Sequence, residues 1–217
     1  MELAVGGIGL SYGGRRVLEN VTFSLASGEH ALLLGPSGSG KSSLLNIICG
    51  LQTPDTGDVT LGQRPVVRNG LLCGADGVRK RHMGIVFQTL RLVSALTVRR
   101  NLLLAQHLQT GARDPGGVDR VLDRLGIAHR AKARPFELSQ GEAQRAAIAR
   151  ALVGNPAILI ADEPTSALDR DNTKGVAELL AETAHDAGAS LLIATHDDRL
   201  RDYFGRTLAL AEGRLAG

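Results

Sequence analysis

The chain has 217 residues, of which 43% are hydrophobic and 22% charged, and its formal net charge at pH 7 is +3. This composition is typical of a globular protein with a substantial core, built as one domain or as a core with an inserted subdomain. The mild charge gives no reason to expect a nucleic-acid-binding tract, and no segment approaches the ~20 apolar residues needed to span a bilayer.

Three local features carry little functional information. Cys49 and Cys73 have no disulfide or metal-binding pattern, which favours a reducing compartment. The first seven residues lack a basic start followed by an apolar run, so we expect no secretory signal. The basic cluster Arg79-Lys80-Arg81-His82 is interpreted as a solvated face.

The first third of the chain predicts strands followed by a loop and a helix. Val21, Phe23 and Leu25 alternate as one face of a strand. Residues 30–34 form a short continuous apolar run, which is typical of a strand buried on both faces of a parallel sheet. A glycine-rich loop follows, and then a helical stretch to Cys49, closed by Gly50.

The middle of the chain changes from strands to helices. A turn at residues 54–57 predicts a hairpin, followed by an irregular Gly- and Arg-rich section and a strand at residues 83–87. Helical periodicity runs from about Thr97 to Leu138. A further helix begins after Ser139 and ends before Pro156.

Two more buried-strand runs follow, at residues 157–161 and 190–195. Helix-sized segments separate the apolar runs of the chain. The sequence therefore predicts an α/β fold with a mainly parallel sheet.

The glycine-rich loop Gly35-Pro-Ser-Gly-Ser-Gly-Lys-Ser42 matches the pattern G-x-x-x-x-G-K-[ST] in full. In such a loop the glycines let backbone N–H groups surround a phosphate, Lys41 reaches the outer phosphates and the Ser42 hydroxyl can ligate Mg²⁺. The alternative is a merely flexible turn. The predicted phosphate-binding residues are Gly35, Pro36, Ser37, Gly38, Ser39, Gly40, Lys41, Ser42 and Ser43.

Two other apolar strands end in chemically reactive side chains. Ligands bind outside the carboxyl ends of parallel strands, so these ends are expected to meet the glycine-rich loop at one crevice. Asp162 is a candidate Mg²⁺ carboxylate, Glu163 could polarise a water, and His196 could contact a γ-phosphate. The alternatives are two acids that cap the Pro164 turn and an ordinary hydrogen-bonded histidine.

The stretch Leu138-Ser-Gln-Gly-Glu142 begins a helix in an unusual way. Ser139 and Glu142 have the spacing of a capping box, in which each side chain bonds the backbone N–H of the other residue. Gly141 lies between them, although glycine costs about 1 kcal/mol relative to alanine in a helix. Either the glycine is simply tolerated, or an anion approaches the bare backbone at this helix N-terminus.

Taken together, these motifs resemble an ATP-binding-cassette ATPase over essentially the whole chain. The resemblance rests on Tyr12, the glycine-rich loop, Gln88, Leu138–Glu142, Asp162-Glu163, Ser166-Ala-Leu-Asp169 and His196, in that order. It implies a P-loop NTPase with a RecA-like core, an N-terminal antiparallel β subdomain and an inserted α-helical subdomain. We expect a single domain over residues 1–217, with the core and β subdomain in 1–87 and 157–217 and the helical subdomain in 88–156.

The resemblance also implies roles for individual residues, with ATP and Mg²⁺ as ligands. Tyr12 would stack on adenine, and Gln88 would link Mg²⁺ and the attacking water to the helical subdomain. Glu163 would be the general base, His196 would hold the γ-phosphate and Asp169 would cross a dimer interface.

The family signature would correspond to Leu138–Glu142. Ser139, Gly141 and Glu142 would close over ATP held by a neighbouring chain. The signature departs from the commonest form, Leu-Ser-Gly-Gly-Gln, because Gln140 replaces a glycine and Glu142 replaces a glutamine.

The chain further resembles the ATPase subunits of bacterial lipoprotein-releasing and macrolide-exporter-type systems. The expected partners are a second ATPase subunit, most simply another copy, and transmembrane permease subunits, but no nucleic acid. The expected location is the inner face of the bacterial cell membrane. Four apolar residues would either line a groove for a helix of a membrane subunit or pack the helical subdomain: Leu90, Leu92, Val93 and Leu96.

Two alternatives remain at this stage. One is a soluble cassette ATPase of DNA repair or translation, although the chain shows no tandem cassette, heptads or paired cysteines. The other is a nucleotide-gated clamp whose dimerisation, rather than turnover, acts on a membrane complex. Glu163 argues against an inactive enzyme.

Overall fold

The computed structural model describes residues 1–165 and 170–216, with only the backbone of residues 170–172. Two sheets and six α-helices make up most of this part of the chain. The strands are β1 (Leu3–Tyr12), β2 (Arg15–Leu25), β3 (His30–Leu34), β4 (Thr56–Leu61), β5 (Arg64–Arg68), β6 (Leu71–Leu72), β7 (Met83–Val86), β8 (Ile158–Asp162), β9 (Ser190–Thr195), β10 (Arg206–Ala211) and β11 (Arg214–Leu215). The helices are α1 (Lys41–Ile48), α2 (Ala75–His82), α3 (Val98–Thr110), α4 (Pro115–Arg124), α5 (Gln140–Leu152) and α6 (Arg170–Asp186).

The N-terminal sheet is antiparallel, with the strand order β2-β1-β4-β5-β6. Val21, Phe23 and Leu25 point to the same buried side of β2, as their alternation predicts. The predicted hairpin is formed by β4 and β5.

The second sheet has the order β11-β10-β3-β9-β8-β7 and is parallel except for the final β10–β11 pair. Its three predicted buried strands, β3, β9 and β8, lie side by side. Residues 190–195 of β9 are all buried, because helices or the other sheet cover both faces. The predicted α/β class with a mainly parallel sheet is therefore confirmed.

Each face of the parallel sheet has its own core. One cluster joins the N-terminal sheet and α1 to side chains such as Leu33 and Ile160. The other joins α3, α4 and α5 to alternating side chains such as Leu32 and Leu159. The period of two along β3 and β8 thus divides their side chains between the two cores.

One part of the sequence prediction was wrong. The section expected to be irregular contains α2, which begins after Gly74 in a left-handed conformation. Only Ala75 and Val78 of this helix are buried, so its sequence lacks a clear apolar stripe. The basic cluster of residues 79–82 occupies the last turn, where positive charge complements the helix dipole.

The predicted helix ends agree well with the structure. Gly50 and Gly126 follow α1 and α4 in left-handed conformations, with φ of 63° and 65°. Within residues 1–165 and 170–216, no helix combines the length and the apolar character needed to cross a membrane.

Candidate active site

A cavity of about 380 Å³ lies at the carboxyl ends of the three central strands. The loop after β3, the end of β8 and the residue after β9 all contribute to it. Its lining consists of Val17, Ser37, Gly38, Gly40, Lys41, Ser42, Ser43, Gln88, Glu163 and His196. Side chains from five separate parts of the sequence thus meet at one place.

The three glycines of the loop at residues 35–42 lie in different structural environments. A Cβ on Gly35 would lie 2.1 Å from the carbonyl oxygen of Leu210, so this position is fixed by close packing. Gly40 has φ of 102°, and a Cβ there would lie 2.8 Å from the carbonyl oxygen of Val17. Gly38 also has a positive φ, but the space beside it is open, which leaves room for a ligand at the backbone.

Lys41 is almost buried at the base of this loop, with a side chain that is 5% exposed. Its Nζ donates to the carbonyl oxygens of Gly35 at 2.8 Å and Pro36 at 3.1 Å. The same Nζ lies 3.5 Å from Glu163 Oε1. The ammonium group is therefore held where the loop and the end of β8 meet.

Ser42 and Asp162 form the pair that could hold a metal ion. The Ser42 hydroxyl donates to Asp162 Oδ1 at 3.1 Å. Burial raises the pKa of Asp162 above its ordinary value, and the bond from Ser42 only partly opposes this. A hydroxyl and a carboxylate are oxygen ligands of the kind that Mg²⁺ prefers. In the described part of the chain, no cluster of three or more His, Cys, Asp or Glu residues could hold a metal.

Glu163 has an unusual backbone for a non-glycine residue, with φ of 46°. Its N–H donates to the carbonyl oxygen of Ala194 on the adjacent strand at 2.8 Å. The side chain is 11% exposed, and its Oε2 lies 2.9 Å from Nδ1 of His196. Left-handed conformations of such residues cost of order 1–3 kcal/mol and often occur at functional sites. Here the turn directs the carboxylate into the cavity, between Lys41 and His196.

Gln88 lies on the cavity wall, two residues after β7 ends. The segment that follows is anchored to α3 by Asn101, whose side chain is 2% exposed. This amide accepts from the Val93 N–H at 2.7 Å and donates to the carbonyl oxygens of Val93, Leu96 and Thr97. The cavity wall is thereby connected to the helices inserted between β7 and β8.

The apolar residues after Gln88 do not all behave alike. Leu92 packs against the helical core, whereas Val93 is 44% exposed. Leu90 and Leu96 are partly exposed. Internal packing therefore applies to Leu92, whereas Val93 faces outward.

Tyr12 lies apart from the cavity, and Asp169 is not among the described residues. Tyr12 ends β1, is 56% exposed and accepts a hydrogen bond from Gln52, but it does not line the cavity. Asp169 and its neighbours from Ser166 lie outside the described residues.

The signature stretch forms the predicted capped helix start. The Glu142 N–H donates to Ser139 Oγ at 3.3 Å, and the Ser139 N–H donates to Glu142 Oε2 at 2.7 Å. Gly141 is exposed, and a Cβ there would meet no atom within 4 Å. Its φ is also not positive, so this chain alone has no steric need for glycine at that position. None of residues 138–142 is among the described residues that line the cavity.

Sequence reasoning missed the two side chains, an arginine and a histidine, that face Glu142. They come from a short 3-10 helix at Ala128–Arg130. Arg130 Nε lies 3.1 Å and His129 Nε2 lies 3.5 Å from Glu142 Oε1. The hydrogen bond from the Ser139 N–H is the main cause that lowers the pKa of Glu142, and the charge of Arg130 contributes. The sequence did offer one signal for this contact. Glu142 stands where the commonest signature has glutamine, and a carboxylate there favours a nearby cation.

Known proteins resemble this chain both in sequence and in fold. A sequence profile of the family described as ABC transporter matches residues 18–166. The ATP-binding cassette MJ0796, solved as a dimer in a post-hydrolysis state bound to ADP and Pi, is 30% identical, with a TM-score of 0.87 over 99% of this chain and 97% of that one. CbiO1 from Clostridium perfringens, described as part of the ABC transporter complex CbiONQ, is also 30% identical, with a TM-score of 0.87 over 99% of this chain and 86% of that one.

Proposed function

The chain belongs to the ABC transporter family of ATP-binding cassettes, and we propose that it is the ATP-hydrolysing subunit of a membrane transporter that dimerises when it binds ATP. It is an ATPase that uses ATP and Mg²⁺. The finer proposal is a transporter of the lipoprotein-releasing or macrolide-exporter type, with a second copy of this chain as the dimer partner.

The observation that carries this proposal is the separation of two phosphate-binding features within one chain. The cavity at the loop of residues 35–42 contains none of the described signature residues 138–142. The start of α5 is nevertheless a helix N-terminus, which attracts anions, and it carries a glycine with open space beside it. Two copies related by a two-fold axis would let each signature complete the cavity of the other, since every contact in such a dimer occurs twice.

Within each composite site we propose the following roles, which the arrangement of the side chains supports. The loop N–H groups and Lys41 bind the phosphates, and His196 contacts the γ-phosphate. Glu163 orients the attacking water and accepts its proton. For this step Lys41 must leave the Glu163 carboxylate and bind the nucleotide phosphates instead. Mg²⁺ bound at Ser42 and Asp162, with Gln88 nearby, would neutralise charge on the phosphates.

Further contacts would come from Tyr12, stacked on adenine outside the cavity wall, and from Ser139, Gly141 and Asp169 across the dimer. The N-terminal end of α5 would add its dipole to the charge that stabilises the transferring phosphoryl group.

We further propose that residues 88–156 form a helical subdomain that moves against the core of residues 1–87 and 157–217. The outward-facing Val93, with Leu90 and Leu96 beside it, would contact a membrane subunit on the inner face of the cell membrane. The anchoring of this segment by Asn101 supports such a role, because a partner bound there would contact a segment that is hydrogen-bonded to α3 and continuous along the backbone with Gln88.

The variant Glu163→Gln tests the proposal, because it keeps the shape of the side chain but removes the proton acceptor. With ATP and Mg²⁺, size-exclusion chromatography should show a stable dimer, and hydrolysis should nearly disappear. The same variant without nucleotide is the control and should elute as a monomer. A variant that binds ATP but remains monomeric, also with any co-purifying subunit present, would contradict the proposal.

A further inference from the structure

Glu142 creates an electrostatic problem at the start of α5. A carboxylate in the first turn suits the helix itself, because it faces the positive end of the dipole. The same negative charge opposes the approach of any second anion to that end. The commonest form of the signature has a neutral glutamine at this position, so the problem arises where a glutamate replaces it, a change that the family also shows.

The structure places a cation against this carboxylate. Glu142 uses Oε2 to accept the Ser139 N–H, which leaves Oε1 directed toward the 3-10 helix. Arg130 Nε lies 3.1 Å from Oε1 as a close ion pair, although its N–H is not aligned as a hydrogen bond. Both side chains are partly buried, with 32% and 26% exposed, so solvent screens the pair less than it would on an open surface.

Arg130 also fixes the backbone that leads into the signature. Its Nη2 donates to the carbonyl oxygen of Glu137, one residue before Leu138. A single guanidinium therefore contacts both the segment that enters the signature and the acid inside it. His129 lies farther from the same oxygen, at 3.5 Å, and is more exposed.

We propose that Arg130 is a positioning residue for ATP-dependent dimerisation: it neutralises Glu142 and holds the signature so that the start of α5 can receive the γ-phosphate bound to the partner copy. This inference rests on the proposed function, because it assigns the signature to a composite site. It adds a residue outside the signature and explains how a glutamate is accepted within it.

The test uses Arg130→Ala in the full-length chain. In the Glu163→Gln background with saturating ATP and Mg²⁺, the dimer dissociation constant should rise at least about five-fold, since at each of the two sites an uncompensated Glu142 carboxylate would repel the partner's phosphate. In the background with Glu163 intact, kcat should fall by a similar factor. The KM for ATP and the affinity of the monomer for ADP should stay within about two-fold, because the phosphate-binding loop is untouched.

A second substitution separates this role from general damage to the fold. Glutamine also completes a capping box, so Glu142→Gln combined with Arg130→Ala removes the uncompensated charge and should restore at least half of the lost activity. Arg130→Lys should give an intermediate result, because it keeps the charge but not the planar fork. Arg120→Ala, which removes an exposed arginine paired with Asp114 in the same group of helices, is the matched control and should behave like the unmodified chain.

The inference is overturned if Arg130→Ala leaves the dimer constant and kcat within two-fold of the unmodified chain, or if Glu142→Gln fails to restore the double variant. It is also overturned if Arg130→Ala changes nucleotide binding by the monomer as much as it changes dimerisation. Failure of Glu163→Gln itself to dimerise would instead reject the proposed function, so the two failures are distinguishable.

Discussion

Gly141 and Gly175 are two exposed helical glycines that differ only in where they lie. A Cβ at either position would meet no atom within 4 Å, and neither has a positive φ. Gly175 lies in α6, whereas Gly141 lies in the first turn of the signature helix. The fold of one chain therefore gives no reason to keep glycine at either place, and of the two we propose a functional reason only for Gly141.

We expect Gly141→Ala to separate folding from activity. The melting temperature should stay within about 2 °C or rise, because alanine has the higher helix propensity. The kcat for ATP should fall at least about ten-fold, because the methyl group would keep the partner's phosphate from the backbone N–H groups. Thermal melts and steady-state kinetics measure both effects, with Gly175→Ala as the matched control that should change neither activity nor fold. Full activity in Gly141→Ala would show that nothing approaches this backbone.

Asp162 is the carboxylate that we propose as a Mg²⁺ ligand, and its burial costs folding stability while no metal is bound. Burial raises its pKa, so its ionised form is less favourable in the folded chain than in the unfolded chain. For an acid with a raised pKa, the sign of the linkage is a loss of stability at a pH where the group is ionised. At neutral pH the free carboxylate therefore destabilises the metal-free fold.

Asp162→Asn should remove this cost and retain the bond from the Ser42 hydroxyl. In EDTA at pH 7 we expect the melting temperature to rise by about 1–4 °C. Stabilisation by added Mg²⁺ and ATP should become smaller, and hydrolysis should be lost. Differential scanning fluorimetry with and without Mg²⁺ measures this, and a lower melting temperature in EDTA would contradict the role assigned to burial.

At the scale of elements, Gly84 of β7 connects the parallel sheet to the signature helix. A Cβ there would lie 2.5 Å from the carbonyl oxygen of Ala151 in α5 and 3.0 Å from Pro156. The strand and the helix backbone are thus in direct contact. The position of α5 depends on the absence of a side chain at this point.

Gly84→Ala should therefore displace α5 and destabilise the fold. Overpacking of this kind costs about 1–3 kcal/mol, which corresponds to a melting temperature lower by about 2–10 °C. Gly77→Ala on α2 is the control, since a Cβ there meets no atom within 4 Å. Urea unfolding of both variants gives the comparison, and equal stability would mean that the contact between β7 and α5 relaxes at no cost.

The sequence predicts the elements that have a strong local signal and misses those that depend on distant contacts. Residues 30–34 and 190–195 are continuous apolar runs, and this pattern is a direct consequence of burial on both sheet faces. α2 has only two buried residues and no side-chain cap, so its pattern does not differ from that of a loop. The phosphate-binding loop is visible because its glycines are required by backbone conformation and packing.

Other parts of the candidate site have no local signal at all. Val17 enters the cavity wall because β2 passes beside the loop, which no local pattern indicates. The approach of Lys41 to Glu163 depends on the left-handed backbone of Glu163. Arg130 reaches Glu142 across twelve residues, through a 3-10 helix that the sequence does not mark.

At the scale of the whole molecule, we propose that the chain carries two halves of a phosphate site in different places. The cavity at the ends of β3, β8 and β9 is lined by the glycine-rich loop, and the start of α5 lies outside that lining. The central claim is that ATP joins two copies by filling both places at once. Substitutions in the two halves should therefore have different effects. A change in the loop should abolish nucleotide binding, whereas a change at the start of α5 should abolish only dimerisation.

The most direct test compares Ser139→Arg and Lys41→Ala, each combined with Glu163→Gln, for ATP binding and for dimerisation. Analytical ultracentrifugation with ATP and Mg²⁺ should show Ser139→Arg as a monomer that binds nucleotide with unchanged affinity, whereas Lys41→Ala should lose both nucleotide and dimer. Thermal melts establish that both variants are folded. A dimer that persists in the Ser139→Arg variant, or a loss of nucleotide binding as large as that of Lys41→Ala, would contradict a signature that acts on the partner's ATP.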